Sequence, residues 1–222
     1  MKYYAIIVGG GSGKRMQNTI AKQFLLLKNK PVLMHTLSAF YNSSFKPEII
    51  LVLHADLHQY WEELCLKYNF DIPHTLIRGG EQRFHSVRNG LIAIKGEGIV
   101  AVHDAVRPLV SSKLIAKAYE IAEDVGNAIA CIKPSDSVRR VKENSEQSKI
   151  INRDELVLIQ TPQTFEISQL RKGYQQHYKA KFTDDASVVE KAGFKINLIE
   201  GERNNLKITY PEDLELANFL LK

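Results

Sequence analysis

Residues 5–16 read Ala5-Ile6-Ile7-Val8-Gly9-Gly10-Gly11-Ser12-Gly13-Lys14-Arg15-Met16, and Lys22 follows six residues later. An apolar run that begins at Tyr3 stops abruptly after Val8. A short apolar run closed by a turn signal reads as a buried strand. The glycines behind it are bare backbone. Without a Cβ the chain approaches a ligand closely and reaches positive φ, and successive N–H groups form an anion-binding concavity. Lys14 and Arg15 set fixed positive charge beside that loop. The expectation is a polyphosphate site at the end of the first strand.

Spacing excludes two common phosphate loops. A P-loop places Ser or Thr after its Gly-Lys pair to hold magnesium, whereas Arg15 follows Gly13-Lys14. The dinucleotide fingerprint G-x-G-x-x-G would end on Lys14 if begun at Gly9, and on Met16 if begun at Gly11. A glycine turn with a purely structural role is the bland alternative, and the flanking cations weigh against it.

The chain's 222 residues, 44% of them hydrophobic, suffice for a sizeable core. No apolar run reaches the ~18 residues a membrane helix needs. A strand begins almost at the amino terminus and leaves no room for a signal peptide. Cys65 and Cys131 sit in apolar helical and strand contexts. They read as buried thiols of a reducing compartment, so the expected location is cytoplasmic. The net charge is +5, and no four basic residues are consecutive. That dispersal argues against a nucleic-acid face and suits an enzyme acting on small anions.

Strand-like runs at 3–8, 49–53, 75–77, 99–102, 128–132 and 195–199 alternate with helical patterns. Pro31 opens one helix, Asp56 caps a second, a third runs over 83–94, Ser112 caps a fourth that ends at Gly126, and Pro211 begins the last. Alternation of this kind predicts an α/β fold: a mainly parallel, Rossmann-like sheet flanked by helices. Ligands of such sheets bind outside the carboxyl ends of the strands, which places the 9–15, 78–82 and 103–108 loops on one rim. Residues 134–160 depart from the pattern, being short, alternating and polar, with a predicted tip at 144–148. They read as a projecting β-hairpin arm. An isolated hairpin buries little, so the arm suggests a dimer contact, with an ordinary surface hairpin as the alternative. The whole of 1–222 reads as a single domain carrying this arm.

Three further clusters bear on chemistry. Gly79-Gly80-Glu81-Gln82-Arg83, with Ser86, brings backbone and hydrogen-bonding groups to a base or ribose. His103-Asp104-Ala105-Val106-Arg107-Pro108 puts a carboxylate at a strand end facing the phosphate loop, where Mg²⁺ is usually shared with substrate phosphates. Arg107 adds an anion fork, with a structural Asp–Arg pair as the alternative. His103 is a candidate general base, although a lone histidine is more often simply hydrogen-bonded and phosphate chemistry does not need one. Thr183 reads as the cap of a helix whose first turn carries Asp184 and Asp185, and His54 with His58 as a surface pair. Lys207 is within reach of a phosphate on the loop before the last helix, or is simply solvated.

In order along the chain come GGGSGKRM, AKQF, GGEQRFHSV, HDAVRP, NRD, TPQTF, TDDAS and NLKIT-x-PEDL. This ordered set resembles the 2-C-methyl-D-erythritol 4-phosphate cytidylyltransferase family, nucleotidyltransferases of the non-mevalonate isoprenoid pathway. The resemblance implies that CTP and methylerythritol 4-phosphate react with Mg²⁺ or another divalent cation, in a homodimer with interlocking arms and with no nucleic acid or membrane partner. It implies that Gly9, Gly10, Gly11 and Gly13 cradle the CTP phosphates, and that Arg15 and Lys22 stabilise charge at the α-phosphate. Gly80, Glu81 and Ser86 would surround cytosine and ribose. Asp104 would hold the metal. Arg107, Ser137, Arg153, Thr161 and Lys207 would surround the acceptor phosphate, with Ser137 and Arg153 reaching in from the partner's arm. Ala21 stands where the family usually has proline, and Asn204 where it often has an acidic residue. A ribitol 5-phosphate cytidylyltransferase and a non-catalytic nucleotide-binding protein are the alternatives.

Overall fold

Along the first strand, β1 (Tyr3–Val8), Ala5 and Ile7 turn to one side and Tyr4 and Ile6 to the other, and all four are buried. A strand apolar on both faces belongs in the middle of a parallel sheet covered by helices. The computed structural model, which describes residues 1–9, 20–141 and 147–221, is built around such a sheet.

After β1 come the small ribbon β2 (Leu26–Leu27) and β3 (Lys30–Pro31), α1 (Val32–Tyr41), β4 (Glu48–Leu53), α2 (His58–Lys67), β5 (Thr75–Arg78) and α3 (Arg83–Ala93). The chain continues through β6 (Ile99–Asp104), α4 (Ser112–Val125), β7 (Asn127–Ile132), β8 (Val138–Val141) and β9 (Ser148–Ile151). It closes with β10 (Leu158–Glu166), α5 (Ile167–Tyr174), α6 (Asp185–Lys191), β11 (Leu198–Glu200) and α7 (Pro211–Leu220). The sheet order is β11-β7-β10-β6-β1-β4-β5, with β10 antiparallel to both neighbours and the other pairs parallel. α1, α2 and α4 cover one face; α3, α5 and α6 cover the other. From β1 the chain first builds outward through β4 and β5, then returns to add β6 on the opposite side of β1. This reversal opens a crevice between the carboxyl ends of β1 and β6, the place where open α/β sheets bind ligands.

Five of the six expected strands coincide with sheet strands to within a residue or two, and the last shifts to Leu198–Glu200. The β2–β3 ribbon, β10 and α5 escape the sequence pattern. β10 contains Pro162, which argues against a central strand; the register shifts between Ile159 and Gln163, and the irregularity accommodates the proline. α5 is short and largely polar. Three helix caps also move. Ser111 caps α4 and Asp184 caps α6, while Asp56 lies inside a 3-10 turn capped by the His54 side chain. The arm is a real hairpin, β8 paired with β9. Of its expected tip, residues 144–146 lie outside the described residues and Ser148 already belongs to β9. Both cysteines are free thiols; Cys131 is buried as expected, whereas Cys65, on α2, is only partly buried. Among the described residues no helix is long and apolar enough to cross a membrane.

α3 packs tightly on the sheet at Gly90. A Cβ there would meet Ile6 Cγ2 at 2.8 Å and Val52 Cγ2 at 3.0 Å, both on β-branched side chains held in the core. Alanine normally favours a helix by about 1 kcal/mol over glycine. At this position overpacking of about 1–3 kcal/mol outweighs that gain. Gly90→Ala is therefore expected to lower the urea midpoint, and a raised midpoint would show that the interface has room to spare.

Candidate functional site

β6 ends on Asp104, whose register partner across the crevice is Val8, the last residue of β1. The Asp104 carboxylate is ringed by cations from three parts of the chain. Lys207 Nζ stands 2.9 Å and Arg107 Nε 3.3 Å from Oδ2, and Arg83 Nε stands 3.6 Å from Oδ1. The Asp104 backbone N–H donates to Thr161 Oγ1 at 3.1 Å, which fixes the β6 terminus against β10. Burial alone would raise the pKa of this carboxyl; Lys207, Arg83 and Arg107 outweigh it and hold the group well below the usual carboxylate range.

The loop before α7 is stitched to the same place. Arg107 Nη1 donates to the Asn205 carbonyl at 2.7 Å, and Asn205 Nδ2 donates to the Thr161 carbonyl at 2.7 Å. The Asp–Arg pair considered from sequence therefore exists, but as one edge of a larger cation cluster. His103 is fully buried, with Nε2 3.2 Å from the Arg107 carbonyl and its ring against Phe40. Burial pushes its pKa down to about 4, so the ring is neutral near pH 7 and serves the core.

Two cavities meet at Asp104. The first, of about 770 Å³, runs from Gly9 and Lys22 past Gly80, Glu81 and Ser86. The second, of about 250 Å³, is walled by Arg107, Thr161, Gln163, Thr183 and Asp184. Arg83, Asp104 and Lys207 line both. The structure thus brings together Gly9, Lys22, Gly80, Glu81, Ser86, Asp104, Arg107, Thr161 and Lys207 from the sequence-derived set. Gly10, Gly11, Gly13 and Arg15 lie outside the described residues. Ser137 and Arg153 sit exposed on the arm and line neither cavity of their own chain; Arg153 Nη1 donates to the Ser135 carbonyl at 2.7 Å.

Local chemistry explains each wall. Gln23, buried in the 3-10 turn Lys22–Phe24, donates from Nε2 to the Gly9 carbonyl at 2.9 Å and ties Lys22 to the head of the glycine loop. Ala21 before it has φ −60°, a value proline would also adopt, so the alanine keeps the usual backbone path. A Cβ on Gly80 would collide with His85, so the loop there requires glycine. Gly80 N–H donates to Ser86 Oγ at 3.1 Å, so the serine expected near the nucleoside also braces the loop. Sequence reasoning missed Gln23, Gln163 and Arg83 as site residues, since no spacing rule marks a lone glutamine or arginine. It also read TDDAS as a helix start alone. Asp184 does cap α6, accepting from Ser187 N–H at 2.9 Å, yet Thr183 and Asp184 also form the wall of the second cavity. The His54–His58 pair is likewise divided. His58 turns Nε2 toward the Leu53 carbonyl, 3.2 Å away, while His54 forms the rim of the first cavity. Asn204 is exposed and lines neither cavity.

No group of three or more His, Cys, Asp or Glu side chains among the described residues forms a metal cage. Among the described residues, Asp104 is the carboxylate that lines both cavities. One carboxylate completed by ligand phosphates is the usual arrangement for Mg²⁺, so the residues present fit an ion held mainly by substrate.

A profile of the 2-C-methyl-D-erythritol 4-phosphate cytidylyltransferase family (IspD) matches residues 3–222. The chain belongs to this family. A cytidylyltransferase of that name from Phocaeicola vulgatus is 47% identical over 221 residues, covering 100% of both chains. Among solved structures, the 2-C-methyl-D-erythritol 4-phosphate cytidylyltransferase of Francisella tularensis superposes with a TM-score of 0.83 at 33% identity, covering 100% of both chains. The 4-diphosphocytidyl-2C-methyl-D-erythritol synthase of Anaerococcus prevotii gives a TM-score of 0.84 at 29% identity, covering 99% of this chain and 96% of that one. Membership in the cytidylyltransferase family makes the chain a nucleotidyltransferase, and the Asp104 cluster is the charged centre of its cleft.

The depressed pKa of Asp104 fixes a sign. Its contribution to stability is complete above the ordinary carboxylate pKa, near 4, and is lost as pH falls through the lower folded value. Asp104→Asn keeps the shape but leaves Lys207 and Arg107 uncompensated, and it should lower unfolding free energy at pH 7 by about 3 kcal/mol. Stability of this variant should also fall less steeply than wild type below about pH 4. Denaturant titrations at several pH values check both, and parallel pH profiles for the two proteins would contradict the assignment.

Proposed function

We propose that the chain transfers the cytidylyl group of CTP to 2-C-methyl-D-erythritol 4-phosphate, releasing pyrophosphate, in isoprenoid precursor synthesis. The observation that carries this reading is the junction of a large and a small cavity at one cation-ringed carboxylate, in a chain that matches the family end to end. The larger cavity takes CTP: Gly9, Gly10, Gly11 and Gly13 hold its phosphates, and Gly80, Glu81 and Ser86 its nucleoside. The smaller takes the acceptor phosphate against Arg107, Thr161 and Lys207.

An acceptor phosphate oxygen attacks the α-phosphorus. The bond from that phosphorus to the bridging oxygen breaks, and pyrophosphate leaves with the electron pair. The nucleophile is already ionised at neutral pH, so no protein base is required, and the neutral, buried His103 is no obstacle. What the reaction does require is that two anions meet. Preorganised cations at the junction lower that barrier. Arg15 and Lys22 stabilise charge as it develops at the α-phosphate. Asp104 and the substrate phosphates would hold a divalent ion such as Mg²⁺, which would supply further charge neutralisation.

We assign residues 1–222 to one catalytic domain, with the β8–β9 hairpin inside the expected 134–160 segment as its dimerisation arm; residues 158–160 belong to β10 of the central sheet. Val141 and Ile150 on that arm are 65% and 74% exposed, a surface suited to a second copy of the chain, and Ser137 and Arg153 would then complete the partner's acceptor cavity. The free thiols Cys65 and Cys131 suit a reducing cytoplasm.

Steady-state kinetics on point variants test the assignment. Lys22→Ala and Arg15→Ala should each lower kcat by ~10²-fold or more, the scale for removing one preorganised donor. Lys207→Ala should raise KM for the acceptor more than for CTP. Near-normal kcat in a folded Lys22→Ala variant would contradict the proposed role.

A further inference from the structure

Arg83 and Asp185 lie 102 residues apart, yet they join the loops that wall the two cavities. Arg83 is the first residue of α3 and directly follows the 79–82 stretch of the first cavity. Asp185 is the first residue of α6 and directly follows Thr183 and Asp184 of the second. Arg83 Nη1 donates to Asp185 Oδ1 at 2.9 Å and Nη2 to Oδ2 at 2.6 Å, a two-pronged pair. The carboxylate is fully buried and is held from behind by the Tyr174 hydroxyl, which donates to Oδ1 at 2.6 Å. The Tyr174 ring in turn stacks on Phe84, the neighbour of Arg83, with centroids 4.6 Å apart. The fork that would otherwise grip a phosphate is thus committed to Asp185, and the remaining edge of the guanidinium, Nε, faces Asp104. Two carboxylates offset one guanidinium charge. Arg83 therefore contributes position to the cleft more than net positive charge.

We propose that Asp185, acting through Arg83, is a positioning residue for both substrates. The pair is a strut that sets the distance between the nucleotide loop at 79–82 and the 183–184 wall of the acceptor cavity, and it aims Arg83 Nε at Asp104. The identity of the two occupants rests on the cytidylyl-transfer reading; the strut itself does not.

The test uses Asp185→Asn, which keeps the volume and removes the charge, and Tyr174→Phe, which removes one hydroxyl. Amide exchange at Gly79 and Gly80 is measured in the free protein, since their N–H groups bond to the Leu53 carbonyl and to Ser86 Oγ. KM for CTP, KM for methylerythritol 4-phosphate and kcat are measured alongside. Asp185→Asn should speed exchange at both glycines and raise both KM values together by about tenfold, the scale of a small misplacement. Tyr174→Phe should move all of these in the same direction by less. Unchanged exchange at Gly79 and Gly80 in folded Asp185→Asn would overturn the strut. So would a fall in apparent kcat with both KM values intact, the signature of lost folded protein alone. If Asp185→Asn does not fold, unchanged exchange and KM values in Tyr174→Phe overturn it equally. A wild-type protein that releases no pyrophosphate would sink the functional reading and leave the exchange data to decide the strut.

Discussion

A single carboxylate, Asp104, stands where the sheet reverses its order and holds three cations that arrive from separate parts of the chain. Arg83 comes from the start of α3, Arg107 from the loop after β6, and Lys207 from the loop before α7. Mutually repelling cations of this kind converge in a partly buried crevice only if a counter-charge is already there. The buried strand β6 fixes that counter-charge, with β1 on one side and β10 on the other. The meeting of these cations at the junction of the two cavities depends on this one group.

The same arrangement suits the chemistry. A cleft that must bring one phosphate against another needs positive charge on rigid elements, and it must keep that charge from disrupting the fold before substrate arrives. Asp104 meets the second condition in the protein without substrate. Arg83 is further held by Asp185: burial would lower its pKa, and the two carboxylates more than offset that. On the proposed reading, catalysis is a matter of charge and placement, its groups carried on loops that the sheet brings to one rim, with no nucleophile–base pair needed.

Much of this was legible in the sequence for identifiable reasons. Strands such as β1 and β6 are apolar on both faces and stop at glycine or at charge, so their limits are visible, and topology then fixes which ends meet. Asp104 and Gly9, the head of the glycine loop, were expected at the cleft for that reason, and both line it. β10 was not, because Gln160, Gln163 and Thr164 are buried polar residues and Pro162 interrupts the pattern. Thr161 acquired a role only through the family resemblance, and Lys207 was a candidate phosphate ligand that nothing in its local sequence separates from a solvated lysine. Asp185 looked like a helix-start acid because its partner is remote in the chain. Gln23, a buried side chain bonded to a backbone carbonyl, leaves no periodic trace at all.

Pyrophosphate release, measured from CTP, UTP, ATP and GTP with Mg²⁺ and with either methylerythritol 4-phosphate or ribitol 5-phosphate as acceptor, tests most directly whether this charged junction performs cytidylyl transfer. The account predicts release with CTP and methylerythritol 4-phosphate alone. Comparable release with ribitol 5-phosphate, or no release with any pair, would contradict it.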